Sequence, residues 1–302
     1  MSRLLFARGS RGGIIRAVQQ NLATEGCYTG IVDGQYGGGT ERAVSSFQTQ
    51  AALPITGSVD DVSWTALMRQ PVPSIFERAL QLTAAFEGHG FTIVEGNWDK
   101  AWLTWGIIGF TLKHGQIQEI LLEIESRNPA FLRDAFGDQS AMLLKVIQSP
   151  PADQESWANS ISEGANVKEP WRSGFQRLGN QPVVQGIQLE RARVAYFQPA
   201  VLTATAYELI SERGLALAFD VHVQNGGVNK VARAAILKRK YKNEPARRVA
   251  IASAVANAAK AVFRADVLAR KLTIATGSGI VHGEAFSTDR WGIEDYAAFE
   301  QP

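Results

Sequence analysis

Ala85-Phe-Glu-Gly-His-Gly90, followed by Asn97-Trp-Asp-Lys-Ala-Trp-Leu-Thr-Trp-Gly-Ile-Ile-Gly-Phe110, is the stretch on which the fold of this chain turns. Just before it, Ile75, Ala79, Leu82 and Phe86 recur at helical spacing and form one apolar stripe. Glu87 falls about 100° around the helix from Phe86, at the edge of that stripe. A carboxyl group there is partly desolvated, which favours its protonated form and suits a general acid. Gly88 and Gly90 end the helix and leave room beside it.

Phe91 to Glu95 predicts a short strand, Gly96-Asn97 a turn, and Leu103 to Phe110 a second strand or a strand leading into a helix. Asp99 therefore occupies a polar turn, where a carboxylate stays ionised and can activate water. Thr104 is within reach to hold that water. Trp98, Trp102 and Trp105 flank the acid, and aromatic faces suit the apolar faces of sugar rings. His89, close to Glu87, is a further candidate substrate contact. Two carboxylates in different surroundings titrate apart, as acid/base cleavage of a glycosidic bond requires.

Upstream, Arg69-Gln-Pro-Val-Pro-Ser74 carries two prolines that stop one helix and hold the chain extended. Ser74 then caps the next helix, with Glu77 completing a capping box. The expected division is residues 1–70, a linker at 71–74, and a second domain at 75–302. Within the first, residues 13–23 and 40–50 show helical periodicity, with Thr40 as N-cap of the second segment, and a third short helix is expected around Ser58 to Met68. Asp33-Gly34 marks a turn between the first two.

Gln19-Gln20, Asp33-Gly34-x-Tyr36-Gly37, Thr40-x-x-Ala43-Val44-x-x-Phe47-Gln48, Gly57-x-Val59-Asp60 and Trp64-x-x-Leu67 resemble the three-helix peptidoglycan-binding domain. The resemblance implies a shallow groove for the stem peptide or glycan of the bacterial wall, with Asp33 and Tyr36 as contacts. The later stretch resembles the family 46 chitosanases of the lysozyme-like superfamily. Their pattern runs from a helix-terminal Glu to Asp-x-x-x-x-Thr-x-x-x-(apolar)-Gly, onto which Glu87, Asp99, Thr104, Ile108 and Gly109 fall. By that resemblance Glu87 is the general acid and Asp99 the general base. Thr104 places the water, and the anomeric carbon is inverted.

The chain departs from the family in three places, one being an interval from Glu87 to Asp99 that is shorter than usual. It has Asp99-Lys-Ala-Trp-Leu-Thr104 where the family has Asp-Gly-Arg-Gly-Tyr-Thr, and Gln116 where the family places an acid. Acids that would pair with glucosamine ammonium groups are lost, which points away from chitosan and towards the N-acetylated glycan of peptidoglycan. The expectation is a wall-lytic glycosidase of the endolysin kind. Its rivals are a lytic transglycosylase using Glu87 alone, a wall-binding protein without activity, and a chitosanase.

The rest of the chain sets the class. Helices are expected near 115–124, 129–147, 185–213, 215–224 and 245–272. The fold is thus mostly α (α+β), a small three-helix domain followed by a lysozyme-superfamily helical domain with a small β element. Asp220, His222, Gln224 and Asn225 end one of these helices and are candidates to line a cleft, with His222 read as structural. Composition is that of a globular protein, 45% hydrophobic and 20% charged. A net charge of +2 is too small to argue for nucleic acid, which is not expected as a partner. The local run Lys238-Arg-Lys-Tyr-Lys-Asn-Glu-Pro-Ala-Arg-Arg248 reads as a solvated segment or as a patch drawn to an anionic polymer such as lipopolysaccharide. Membrane contact beyond that is not expected.

Cys27 is the only cysteine, so no intramolecular disulfide forms. The histidines lack paired spacing and no HExxH motif is present, so neither a metal nor another cofactor is expected. The N-terminal apolar run stops at Arg8, too short for a signal-peptide core, and the expected route is synthesis in the cytoplasm followed by assisted release to the wall. The expected state is a monomer with peptidoglycan as its partner.

Overall fold

The protein is described by a computed structural model covering residues 2–88 and 90–295. It divides into two compact units, Met1–Phe86 with Tyr196–Pro302, and Glu87–Ala195.

In the first unit the chain opens with β1 (Leu4–Phe6), α1 (Gly13–Thr24), α2 (Gly38–Gln50), β2 (Val59–Asp60) and α3 (Asp61–Met68). β1 and β2 pair antiparallel, with Leu4 opposite Asp60. Phe6, Ile15, Val18, Leu22, Phe47 and Trp64 share one apolar core. A second, polar core holds the turn between α1 and α2. The amide of Gln19, buried, donates to Asp33 Oδ1 at 2.9 Å, Gln35 O at 3.0 Å and Thr40 Oγ1 at 3.1 Å. Burying an amide is tolerable only with its bonds made, and here they fix the glycine-rich loop.

Two of the expected helix starts are corrected. Thr40 is not an N-cap: α2 begins two residues earlier behind Gly37, and the Thr40 hydroxyl turns inward to Gln35 O and Gln19. The third helix starts later than Ser58, because Asp60 caps it by accepting from Ser63 N at 2.7 Å. The capping box on α4 (Ile75–Glu87) is present as read. Glu77 Oε2 accepts from Ser74 N and Oγ at 2.8 Å each, and Glu77 N donates back to Ser74 Oγ at 3.3 Å.

The second unit begins with β3 (Val94–Glu95), β4 (Thr104–Trp105) and β5 (Phe110–Thr111), an antiparallel sheet in the order β3-β4-β5. It continues through α5 (Gln116–Arg127), α6 (Ala130–Phe136), α7 (Ser140–Ile147), α8 (Pro151–Ile161), the hairpin β6 (Ser162–Glu163) and β7 (Asn166–Val167), α9 (Trp171–Gly179) and α10 (Pro182–Ala192). One face of the sheet feeds the core, where Trp105 packs on Phe175 at 5.2 Å and Phe175 on Phe136 at 5.2 Å. The helix expected over 129–147 is broken at Gly137, whose φ of 56° stops α6.

The chain returns to the first unit with α11 (Gln198–Ala206), α12 (Glu212–Asn225), α13 (Lys230–Leu237), α14 (Glu244–Ala258), α15 (Arg264–Thr276) and the hairpin β8 (Ser278–Val281) and β9 (Glu284–Ser287). The segment expected as one helix over 185–213 passes through a π turn at Arg193–Phe197 and breaks after Ala206, and that over 245–272 is split between Ala259 and Phe263. α12 is buried all round from Gly214 to Val221, as a helix at the centre of a bundle must be. Asp220 lies on it and does not line a cleft. Its side chain is fully buried and accepts from Arg270 at 2.6 Å, Lys271 at 2.5 Å and Thr83 Oγ1 at 3.2 Å. Burial alone would push this carboxyl up, but the two cations outweigh it and hold it at about 2.

The three-helix segment is docked inside this unit rather than hung from a loose linker. Arg78 of α4 pairs with Glu212 of α12 at 2.6 Å, both buried, and Arg3 of the N-terminal strand region reaches the same carboxylate. Gln81 Oε1 accepts from Gly13 N at 2.9 Å. Pro71 O and Pro73 O accept from Trp64 Nε1 at 2.9 Å and Arg78 Nε at 3.0 Å, so the 71–74 segment is pinned at both ends.

Candidate active site

The short sheet of the second unit organises the site. In an antiparallel pair, directly opposed residues project to the same face. Val94 faces Trp105 and Trp105 faces Phe110, which makes the core side. Glu95 faces Thr104 and Thr104 faces Thr111, which makes a polar row on the other side. Thr111 Oγ1 extends the row to His114 Nδ1 at 2.7 Å. Glu95, Thr111 and His114 were not found from the sequence. Two-residue strands are too short for a period-two alternation to register.

Asp99 lies on the turn between β3 and β4 and is exposed. Its Oδ1 accepts from Ala101 N at 3.0 Å, and Oδ2 has no protein partner among the described residues. The turn itself is held from several sides. Asn97 Oδ1 accepts from Trp102 N at 2.9 Å, Asn97 N donates to Ser162 Oγ at 3.0 Å, and Gly96 N donates to Ala165 O at 2.8 Å. Gly96 is required by close approach. A Cβ there would meet Gly164 O at 2.7 Å and Ser162 Oγ at 2.8 Å, so the β6–β7 hairpin could not seat against the turn. An exposed carboxylate is thereby fixed without being desolvated.

Thr104 is buried to 8% exposure on β4. The loop after it is set by Gln188 of α10, whose Oε1 accepts from Ile107 N at 3.0 Å while its Nε2 donates to Phe91 O at 3.2 Å. Gln116, at the position where the family resemblance expects an acid, accepts from Thr111 N at 3.0 Å and so ties α5 to β5.

Glu87 ends α4 and opens the second unit; it is half-buried, with Gly88 in the left-handed region at φ 67° immediately after it. His89 lies outside the described residues. The tryptophans separate by exposure. Trp98 is 61% exposed and donates from Nε1 to Glu95 Oε2 at 3.2 Å, whereas Trp102 is 8% and Trp105 0% exposed. Trp105 presents no face to a ligand because the β4 register points it into the core. In the first unit, Asp33 is exposed, and the bond from Gln19 holds its carboxyl below the usual range. Tyr36 is 2% exposed and donates to Gly57 O at 2.9 Å, which makes it a core residue of the three-helix segment. His222 shares a hydrogen bond with Thr203 Oγ1 at 2.8 Å, and burial pushes its ring below the ordinary histidine range. Among the described residues no cluster of His, Cys, Asp and Glu is arranged to hold a metal ion.

Residues 11–67 match the family described as "Putative peptidoglycan binding domain". The fold is similar to that of a family 46 chitosanase from Gynuella sunshinyii in complex with chitotetraose. The TM-score is 0.55 at 16% identity, over 72% of this chain and 98% of that one. A chitosanase from Bacillus subtilis MY002 complexed with GlcN is similar at TM-score 0.50 and 18% identity, over 70% of this chain and 94% of that one. A further chitosanase complex gives 0.50 and 18% over 69% and 94%. No curated protein matches the chain. The chain therefore joins a peptidoglycan-binding domain to a mostly helical fold of the family 46 chitosanase kind. Among the described residues no helix is long and apolar enough to cross a membrane.

Proposed function

We propose that this protein hydrolyses the glycan strands of peptidoglycan, in the manner of a lysozyme-like endolysin. The observation that carries the reading is the joining, in one chain, of a peptidoglycan-binding domain with the fold of a glycoside hydrolase. The domain division proposed is 1–70 for wall binding, 71–74 as connection and 75–302 for hydrolysis. Peptidoglycan is the partner, and the wall is where the protein acts.

The roles follow from local environment. Glu87, half-buried at a helix end, is the general acid that protonates the departing glycosidic oxygen. Asp99, exposed and held on a pinned turn, is the general base that takes a proton from water. Thr104 orients that water from the polar row of the sheet. Attack from the face opposite the leaving group inverts the anomeric carbon. Trp98 offers the exposed aromatic surface for a sugar ring, and Gln116, a neutral amide, removes one reason to prefer a cationic glucosamine polymer.

Chitosan is the second reading, favoured by one observation: the solved structures of similar fold are chitosanases. Incubation with purified sacculi and, separately, with chitosan decides between them. Reducing sugar released from sacculi, with products that have gained water, supports peptidoglycan hydrolysis. Release from chitosan alone overturns it, and an anhydro product end identifies a transglycosylase instead.

A further inference from the structure

The basic run noted in the sequence is divided by the fold. Arg247 pairs with Glu208 at 2.6 Å, and Arg248 is buried against Glu244 and Asp295. The remainder joins a different set. Lys230, Arg233, Lys238, Arg239, Lys240 and Lys242 are all exposed, and no acid occurs in the sequence from Val221 to Asn243. None of the six has a carboxylate within ion-pair distance among the described residues.

α13 carries the centre of this surface. Of its residues, Ala232 and Ile236 are the buried ones. Opposite them on the helix lie Lys230, Ala234 and Lys238, flanked by Val231 at 70% and Leu237 at 63% exposure. The outward surface of the helix and its C-terminal cap is thus made by Lys230, Val231, Ala234, Ala235, Lys238 and Arg239, all exposed. Cations alone would serve any polyanion. Exposed valine and leucine interleaved with unpaired lysines serve a surface that is both anionic and, just beneath, apolar.

We propose that α13 and the segment 238–242 seat the protein on the interface of an anionic phospholipid bilayer. The lysines and arginines meet headgroup phosphates, and Val231 and Leu237 enter the boundary below them. Each cation near such a surface adds to the attraction, so a cluster of six suffices for reversible attachment at moderate salt. The attachment is independent of the reaction proposed above.

The test is co-sedimentation of the full chain with vesicles of phosphatidylcholine mixed with phosphatidylglycerol, against phosphatidylcholine alone. Partition into the anionic vesicles is expected to be higher by about tenfold or more and to fall as salt rises. The combined change Lys230→Glu, Lys238→Glu and Arg239→Glu should remove that preference. Val231→Ser with Leu237→Ser, which keeps every cation, should lower partition severalfold. Thermal melting by circular dichroism verifies that each variant is folded. Equal partition of the wild type into both vesicles overturns the proposal. So does unchanged binding by the charge-reversed variant. Wild-type binding by the Val231/Leu237 variant also overturns it, because the surface would then recognise a soluble polyanion and not a bilayer.

Discussion

Glu95 lies directly opposite Thr104 in the β3–β4 pair, so the two side chains share one face of the sheet. That face also receives Thr111 from β5. Two carboxylates are therefore near Thr104 in the chain's local architecture: Glu95 in the polar row and Asp99 on the turn that joins the strands. They differ in what occupies them. Glu95 accepts from the Trp98 indole at 3.2 Å, whereas one Asp99 oxygen has no partner among the described residues.

Asp99→Asn is accordingly expected to lower hydrolysis of purified sacculi by about 10²–10⁴-fold, and Glu95→Gln to leave it within about tenfold. Rates of reducing-sugar release for the two variants decide the matter. The reverse ranking would move the base from Asp99 to Glu95.

Glu87→Gln should abolish lysis in a zymogram with embedded peptidoglycan, a loss of about 10²–10⁴-fold, while pull-down on sacculi stays at the wild-type level. Binding is expected to survive because the three-helix segment keeps its own core and loop network. Full lysis by this variant would remove Glu87 from the mechanism.

Gly96→Ala probes how the turn is held. The new methyl group would meet backbone oxygens of the β6–β7 hairpin below 3 Å, and the turn carrying Asp99 must shift. The expected result is a stability loss of about 1–3 kcal/mol with activity reduced by about 10²-fold, more than the unfolded fraction accounts for. Urea unfolding and turnover on sacculi, measured together, separate the two effects.

Asp220→Asn tests the buried ion cluster of the first unit. Removing the charge takes away the buried carboxylate to which both Arg270 and Lys271 donate, and a loss of about 3–5 kcal/mol is expected. The pH dependence has a definite sign. The folded carboxyl is held at about 2, below its ordinary 3.8, so the unfolded chain binds the proton more tightly. The stabilisation is complete above about pH 4 and disappears as the pH falls through about 2. Urea midpoints of wild type and variant should converge over that interval, and parallel curves would sink the account.

Much of the local structure was legible because it rests on short-range chemistry. The Ser74–Glu77 capping box and the end of α4 at Glu87, just before Gly88, each depend on residues within a few positions of one another. Thr40 departs from its expected capping role for the opposite reason. Its partner Gln19 is 21 residues away, and that bond, not capping, sets its orientation. The three tryptophans look equivalent in the sequence. Strand register alone sends Trp105 into the core, and packing leaves Trp98 outside.

The sequence by itself determined the modular order, the mostly helical class, and the candidate acids Glu87 and Asp99, since motif spacing and helical periodicity are written along the chain. Tertiary structure decided which side chains share a face. It placed Glu95, Thr104 and Thr111 in one row by cross-strand pairing. It buried Asp220 between Arg270 and Lys271, some fifty residues later in the chain. It also took Arg247 and Arg248 out of the basic run and left the cations of α13 and the 238–242 segment without an ion pair among the described residues. Those outcomes depend on contacts between distant segments, and no periodicity in the sequence records them.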